Sequence, residues 1–475
     1  MSRSVVIDPV TRIEGRARVT IRLADDGSVE DARVQVTDLR GFEALCVGRP
    51  LSEMPALTAR VCGICPVSHS LAAAKAGDAI LGADPPPAAR RLRQLVQFAQ
   101  LVQSHALSFF YLSVPDFVVG HDGDPAERSI LGVARALPWL AQDGVSLRRF
   151  GQEVIAHAAG QRVHPAYAVP GGVARPLPAL ARERILAELP AAFAAAERAL
   201  AWWSRTSSAL ADDAASCGNF ESAFLSLVGP GGELDLCDGR LRLVSATGAV
   251  LADGVEPSRY LDLVGEAVEP WTYARQAYLR EGGYPAGIYR VGPLARLNAA
   301  SRCGTPRADR ALDSFRQVAG TPVLSTFHAH HARLVELVWA LERMEEILAD
   351  ARILSPEVRT PPGAGRPEAV GACEAPRGTL FHHYRVDPNG LVSWANFIVA
   401  TGQNALAMNR AVRQVAERYM TGRALDSGTV NRVEACVRAF DPCLSCATHA
   451  FGARWVSVRL VASDGRVLDE APQAG

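Results

Sequence analysis

The sequence predicts an α+β fold that is predominantly helical: a central helical bundle with a smaller N-terminal β-containing part. Two patterns lead there. From Ala88 onward, long stretches repeat apolar residues at helical spacing, and the first 40 residues carry the two-residue alternation of strands. Length bounds the answer, since 475 residues suffice for two or three core-forming units around a large buried interior.

Taken in order, Val5-Val6-Ile7, then Val19, Ile21 and Leu23, the turn Asp25-Asp26-Gly27, and Val34 with Val36 predict a hairpin or small sheet. RRLRQLVQFAQLVQSHALSFFYL, beginning at Arg90, predicts a long helix that Pro115 ends. Further helices are expected over Ser146–Gly160, from Leu177 to about Ala211, over Val323–Leu354 and over Gly402–Tyr419. A mixed insertion around residues 217–300 carries short strands and Gly-rich turns, and Ser355–Pro367 reads as a loop. The tail VSVRLVASDGRVLDE predicts two short strands around Asp464-Gly465. No repeat or long linker divides the chain, so a strand-rich segment 1–60 and a helical core 61–449 are expected to pack as one body.

Composition removes several classes of partner. Fifty basic residues balance fifty acidic ones, which gives no electrostatic reason to expect nucleic acid or an acidic membrane. No run approaches the roughly 20 apolar residues of a membrane span. The N-terminal MSRSVVIDPV lacks the apolar core of a secretory signal, which makes the cytoplasm the default location.

The chemistry lies in the cysteines. RVCGICPVSH (Arg60–His69) places Cys62 and Cys65 two residues apart, and DPCLSCATH (Asp441–His449) repeats the spacing with Cys443 and Cys446. One such pair is compatible with zinc, with disulfide exchange or with half of a larger metal site. A zinc ribbon closes over about 15–20 residues, whereas nearly the whole chain separates these pairs. Four converging thiolates make a soft site for zinc, iron–sulfur chemistry or nickel. Cys46, Cys217, Cys237, Cys303, Cys373 and Cys436 read as small buried hydrophobes.

Together the two motifs resemble the paired signatures of the [NiFe] hydrogenase large subunit. VIDPVTRIEG, RGFE, QSHALSFFYLSVPD, HPAYAVPGG, EAPRG and NFIVATGQN follow in that family's order. The texture of several is that of the soluble, NAD-coupled bidirectional hydrogenases. The resemblance implies nickel on four cysteines, with Cys62 and Cys443 terminal and Cys65 and Cys446 bridging to an iron with carbon monoxide and cyanide ligands. It makes Cys443 the first proton acceptor, Glu14 the proton relay, and Arg377 the guanidinium above the metals, flanked by Asp116 and Asp441. His69 would tune a cysteine sulfur, and Pro376 and Thr401 would wall the cyanide side. Glu43 and His449 would ligate a magnesium-type ion, completed by a carbonyl near residues 397–399.

The chain departs from the family pattern at Arg16, where histidine usually follows, and after His449, where Gly452-Ala453-Arg454-Trp455 replaces Gly-x-Met-Pro-Leu. HAHH (His328–His331) matches nothing in that pattern and reads as surface or interface. Residues 450–475 would be a propeptide removed after His449 by a maturation endopeptidase, once nickel-insertion chaperones have acted. No dinucleotide fingerprint or spare cysteine cluster is present, so electrons would leave through an iron–sulfur small subunit to diaphorase-type NAD(P)/flavin subunits. A hydrogen sensor, or a hydrogenase using another carrier, is the alternative. The cysteine-free scaffold relative of respiratory complex I is excluded by the four cysteines.

Overall fold

The computed structural model describes residues 3–39, 41–420 and 426–448, together with the backbone of 457–461 and 467–472. Residues 3–36 carry an antiparallel sheet, β1 (Arg3–Ile7), β2 (Ala17–Leu23) and β3 (Val29–Val36), in that order. Its alternation buries Ala17, Val19 and Ile21 on one face.

Helices form the bulk: α1 (Pro66–Leu81), α2 (Pro87–Ala106), α3 (Pro138–Ala159), α4 (Ala179–Thr206), α5 (Pro293–Ala299), α6 (Ala329–Ala349), α7 (Ala405–Tyr419) and α8 (Ser427–Phe440). α2 packs on α3 and α6, α4 packs on both of these, and β3 rests on α7. The approach of α3 to α2 depends on two glycines. A Cβ at Gly144 would meet Phe110 at 2.5 Å, and one at Gly151 would meet the Ala99 carbonyl at 2.6 Å.

Pro115 does not end the second helix. The chain widens into a π-helical stretch over Leu107–Ser113 and continues as a short helix, Val114–Val118. Pro115 sits in the first turn of that helix, where a missing N–H costs nothing. The helix expected to begin at Ser146 begins at Pro138, and the one expected to reach Leu354 ends at Ala349 in a 3₁₀ turn.

The mixed insertion holds β4 (Ala223–Val228), β5 (Arg240–Val244) and β6 (Val250–Val255), with β7 (Tyr289–Arg290) parallel to β4. A further antiparallel sheet, β8 (Glu368–Ala375), β9 (Gly378–Val386) and β10 (Val392–Ile398), backs onto α1. Leu225, Leu227, Leu241, Tyr289, Phe381 and Ile398 pack between these sheets as a second, smaller core. In the tail, Ser457–Val461 pairs antiparallel with Val467–Pro472, the two strands expected there.

Candidate metal centre

Each C-x-x-C pair is prepared locally. Cys65 is the N-cap of the 16-residue α1, with Pro66 in its first turn. The backbone N–H groups of Ile64 and Cys65 lie 3.2 and 3.4 Å from Cys62 Sγ. His164, at φ 52, bonds the Ala59 carbonyl at 2.7 Å and anchors the turn leading to Cys62, which gives HPAYAVPGG a structural task. At the other end, α8 stops on Asp441 in the left-handed region (φ 54), and the Thr401 hydroxyl accepts the Cys443 N–H at 2.9 Å.

The two pairs converge. Sγ separations are 3.0 Å for Cys62–Cys443, 3.0 Å for Cys443–Cys446, 3.4 Å for Cys65–Cys446 and 4.0 Å for Cys65–Cys443. All are far beyond the ~2.05 Å of a disulfide. All four sulfurs are buried and lie within 4.8 Å of one another, the one such metal-ligand group among the described residues. Hydrogen bonds from Cys443, Cys446 and Cys62 outweigh burial and hold the Cys65 thiol well below the usual range, while burial pushes Cys443 and Cys446 well above it. A cation is what allows all four to ionise together. The soft donors, the exclusion of water and an adjoining cavity walled by Ala375, Leu380, Val399, Ala400 and Thr401 fit a nickel–iron centre with small uncharged or anionic ligands.

Arg377 closes the cavity, 4% exposed. It donates from Nε to the Asp441 carbonyl (2.7 Å), from Nη2 to Asp441 Oδ1 (3.1 Å) and from Nη1 to Ser104 Oγ (3.3 Å). Burial opposes its charge, but Asp441 and the sulfurs of Cys443, Cys65 and Cys62 hold its pKa well above the ordinary value. Asp116 is not a hydrogen-bond partner of Arg377. Its carboxylate takes Arg12, Arg438 Nε at 3.0 Å and Asn431 Nδ2 at 3.1 Å, the frame behind Asp441. Those two arginines, against its burial, keep its pKa low.

Glu14 is no free surface side chain. Its carboxylate accepts the Ser445 N–H at 3.0 Å and the Ser445 hydroxyl, and its carbonyl accepts Leu444 N–H at 3.2 Å. The adjoining Gly15 has φ 81, and a Cβ there would meet Leu444 Cβ at 2.8 Å, so only glycine permits this approach. Arg16 is exposed and pairs with Asp8 at 3.3 Å. His69 Nε2 lies 3.2 Å from Cys446 Sγ. Pro376 is buried beside the cavity without being part of its wall, and its carbonyl accepts Arg296 Nη2 at 3.0 Å.

Glu43 is half-buried on a short helix, Phe42–Cys46, while Arg40 and His449 lie outside the described residues. The magnesium-type site is therefore not assembled from what the structure describes. His330 and His331 are interior, at 1% and 0% exposed, which corrects the surface reading of HAHH. Burial holds His328 and His331 at a pKa of about 4. The six unpaired cysteines are all buried, as expected.

One network escaped the sequence. Arg296, wholly buried on α5, binds Glu336 through Nε and Nη2 (both 2.6 Å), Glu374 at 3.0 Å, and the carbonyls of Ala375 (2.9 Å) and Pro376 (3.0 Å). His105 completes it, 2.7 Å from Glu336. Its side chains from motifs the sequence singled out are Glu374, in EAPRG, and His105, in QSHAL; Arg296 and Glu336 lay in none.

A largely helical body that brings four buried thiolates from its two ends under one arginine is a thiolate metalloenzyme. A nickel-dependent hydrogenase family model matches residues 40–130 and 268–449, and a HoxL-like model matches residues 4–39. The chain is 40% identical to NAD-reducing hydrogenase HoxS subunit beta of Cupriavidus necator, over 99% of both chains. It is also 40% identical to the matching chain of the F420-non-reducing hydrogenase vhu of Methanococcus voltae, over 87% of this chain and 98% of that one. A crystal structure of an NAD+-reducing [NiFe]-hydrogenase superposes with a TM-score of 0.92 at 45% identity, covering 94% of this chain and 99% of that one. A Ni-Fe-Se hydrogenase from D. vulgaris Hildenborough shares the fold, with a TM-score of 0.75 at 24% identity over 94% of this chain and 100% of that one.

The chain belongs to the nickel-dependent hydrogenase family, as the catalytic large subunit of a [NiFe] hydrogenase. Its relatives are subunits of multisubunit hydrogenases. No helix among the described residues is long and apolar enough to cross a membrane.

Proposed function

We propose that this protein converts H2 reversibly to protons and electrons and passes the electrons through an iron–sulfur small subunit, then through diaphorase-type flavin subunits, to NAD(P) in the cytoplasm. The observation that carries the reading is the convergence of Cys62, Cys65, Cys443 and Cys446 beneath Arg377. The kinship to an NAD-reducing relative along the whole chain supports the choice of acceptor.

Cys62 and Cys443 would hold nickel terminally, and Cys65 and Cys446 would bridge to an iron carrying carbon monoxide and cyanide. When bound, that pair supplies the Lewis acidity that polarises H2. Cys443 Sγ receives the proton, and Glu14, fastened to Ser445 in the same turn, takes it outward. Arg377 stays charged at all working pH and orients the reacting molecule without exchanging a proton. Asp441 fixes that guanidinium with two acceptors, and Asp116 braces the frame behind it. Thr401 holds the Cys443 turn while lining the cavity, with Pro376 next to it. Glu43, His449 and a carbonyl near residues 397–399 would hold magnesium or a similar ion.

Residues 450–475 are removed in this reading, leaving His449 as the last residue. In support, the solved NAD+-reducing relative is covered almost completely, at 99%, by 94% of this chain, close to the share that residues 1–449 make up.

The test is to purify the protein from its own host with its partners and to measure nickel, iron, intact mass and H2-dependent NAD(P) reduction. About one nickel and one iron per chain, a mass ending at His449 and NAD(P) reduction are expected. Dye reduction without NAD(P) reduction would assign another carrier. Zinc alone would remove the activity.

A further inference from the structure

Behind Cys446 a single file of polar side chains leads away from the metal centre. His69 Nε2 stands 3.2 Å from Cys446 Sγ, His69 Nδ1 lies 3.0 Å from His382 Nε2, and His382 Nδ1 lies 2.8 Å from Tyr384 Oη. His69 is 1% exposed and the other two are 0% exposed, so no water competes for these bonds. His382 and Tyr384 are two residues apart on β9 and share the strand face that meets α1, where His69 sits. The His382 ring is stacked on Phe397 of β10, with centroids 4.1 Å apart and planes at 18°, which fixes its orientation.

The donors and acceptors leave one arrangement of protons for a neutral file. A metal-bound thiolate only accepts, so His69 turns its N–H from Nε2 toward Cys446. Its Nδ1 is then a lone pair and needs a donor, which makes His382 the Nε2–H tautomer. His382 Nδ1 in turn is a lone pair and needs the Tyr384 hydroxyl proton. Every tautomer is thus set by a phenol two histidines away from the sulfur.

We propose that His382 and Tyr384 are positioning residues that, through His69, hold a hydrogen bond on the bridging sulfur of Cys446 and thereby lower the electron density at the metal pair. This rests on the reading under Proposed function that Cys446 bridges to a carbonyl-bearing iron. Burial holds the Tyr384 pKa well above its usual value, so the phenol keeps the proton it must donate. Burial and the neighbouring His69 hold His382 well below the histidine range, which agrees with a neutral ring.

The test is infrared spectroscopy of the purified complex, in the carbonyl and cyanide stretching region, beside nickel content and melting temperature. Tyr384→Phe keeps the ring packing and removes the terminal donor, and His382→Leu cuts the file. Both should move the carbonyl band to lower wavenumber at wild-type nickel content, because a less hydrogen-bonded sulfur leaves iron more electron-rich. His382→Gln, which returns an N–H toward His69, should move the band back. Bands at wild-type positions in Tyr384→Phe and His382→Leu would overturn the inference. Should a variant fail to load metal, 3-fluorotyrosine at position 384 decides: a more acidic phenol must raise the band, and an unmoved band refutes the proposal. A wild-type complex without carbonyl and cyanide bands would instead refute the nickel–iron reading, and this inference with it.

Discussion

Replacing Arg296 with methionine removes one guanidinium from a place where water cannot substitute for it. Arg296, Glu336 and Glu374 have fully buried side chains, so the change leaves two carboxylates and the carbonyls of Ala375 and Pro376 without their donor. The magnitude follows from Glu336. Burial alone would raise its pKa, yet Arg296 and His105 bring it from the usual 4.5 to about 2. At 1.36 kcal/mol per pH unit this is about 3 kcal/mol. Two carbonyls losing charge-assisted bonds add at least about 3 kcal/mol. The total, about 6 kcal/mol, lies at or slightly above the 3–5 kcal/mol typical of breaking a buried ion pair from one side.

Because the folded pKa of Glu336 is depressed, its contribution is fully present above pH 4.5 and is lost as pH falls through about 2. Urea unfolding of the purified complex at neutral pH should therefore show a much lower midpoint for Arg296→Met, and the acid-induced loss between pH 4.5 and 2 should shrink. Adding Glu336→Gln and Glu374→Gln to Arg296→Met should recover part of the stability, since no buried carboxylate is then left unpaired. A loss below ~2 kcal/mol, or an unchanged acid limb, would refute the reasoning.

Glu14→Gln preserves the acceptor for Ser445 and removes the exchangeable acid, so nickel content should hold while H2 turnover falls at least about a hundredfold. Arg377→Lys cannot reproduce three directed bonds to Asp441 and Ser104, and turnover should fall about a hundredfold with the fold intact. Gly15→Ala sets a Cβ against Leu444 at a positive φ, and about 1–3 kcal/mol of strain should appear as weakened nickel retention in metal analysis after dialysis.

What the sequence disclosed and what it hid follow from the range of each interaction. The cysteine pairs were legible because spacing, helix start and following histidine are all local to one turn. Glu14 was reached only through its motif: its partner Ser445 lies 431 residues away, and TRIEG by itself reads as a strand end. The β8–β10 sheet went unseen for a related reason. Its strands are buried on both faces over most of their length, so the two-residue alternation that marked β2 is missing. The same cause misplaced HAHH: α6 is buried nearly all round, and with no polar face to orient it, histidines looked like surface. Asp116 was named by its motif, but its partners were not legible there: Arg12, at φ 54, and Arg438 lie far from it in the chain and reach its carboxylate.

The walls of the centre come from distant parts of the chain, and this bears on what holds it together. Cys62, Cys65 and His69 belong to the turn and helix of one unit, Ala375 and Arg377 to the end of β8 and the turn after it, and Thr401 to the short helix Ala400–Gln403 that follows β10. Only the turn with Cys443 and Cys446 closes the pocket. It is fastened from three sides: by Glu14 and its carbonyl, by the Thr401 hydroxyl and by the Ala274–Thr448 bridge. Those fastenings hold the four sulfurs within 4.8 Å of one another, where burial resists ionising more than the first of them. The cation that stabilises four thiolates is therefore also what makes the last turn stable in place. A chain whose closing turn is the last to settle around the cation would avoid burying that charge uncompensated.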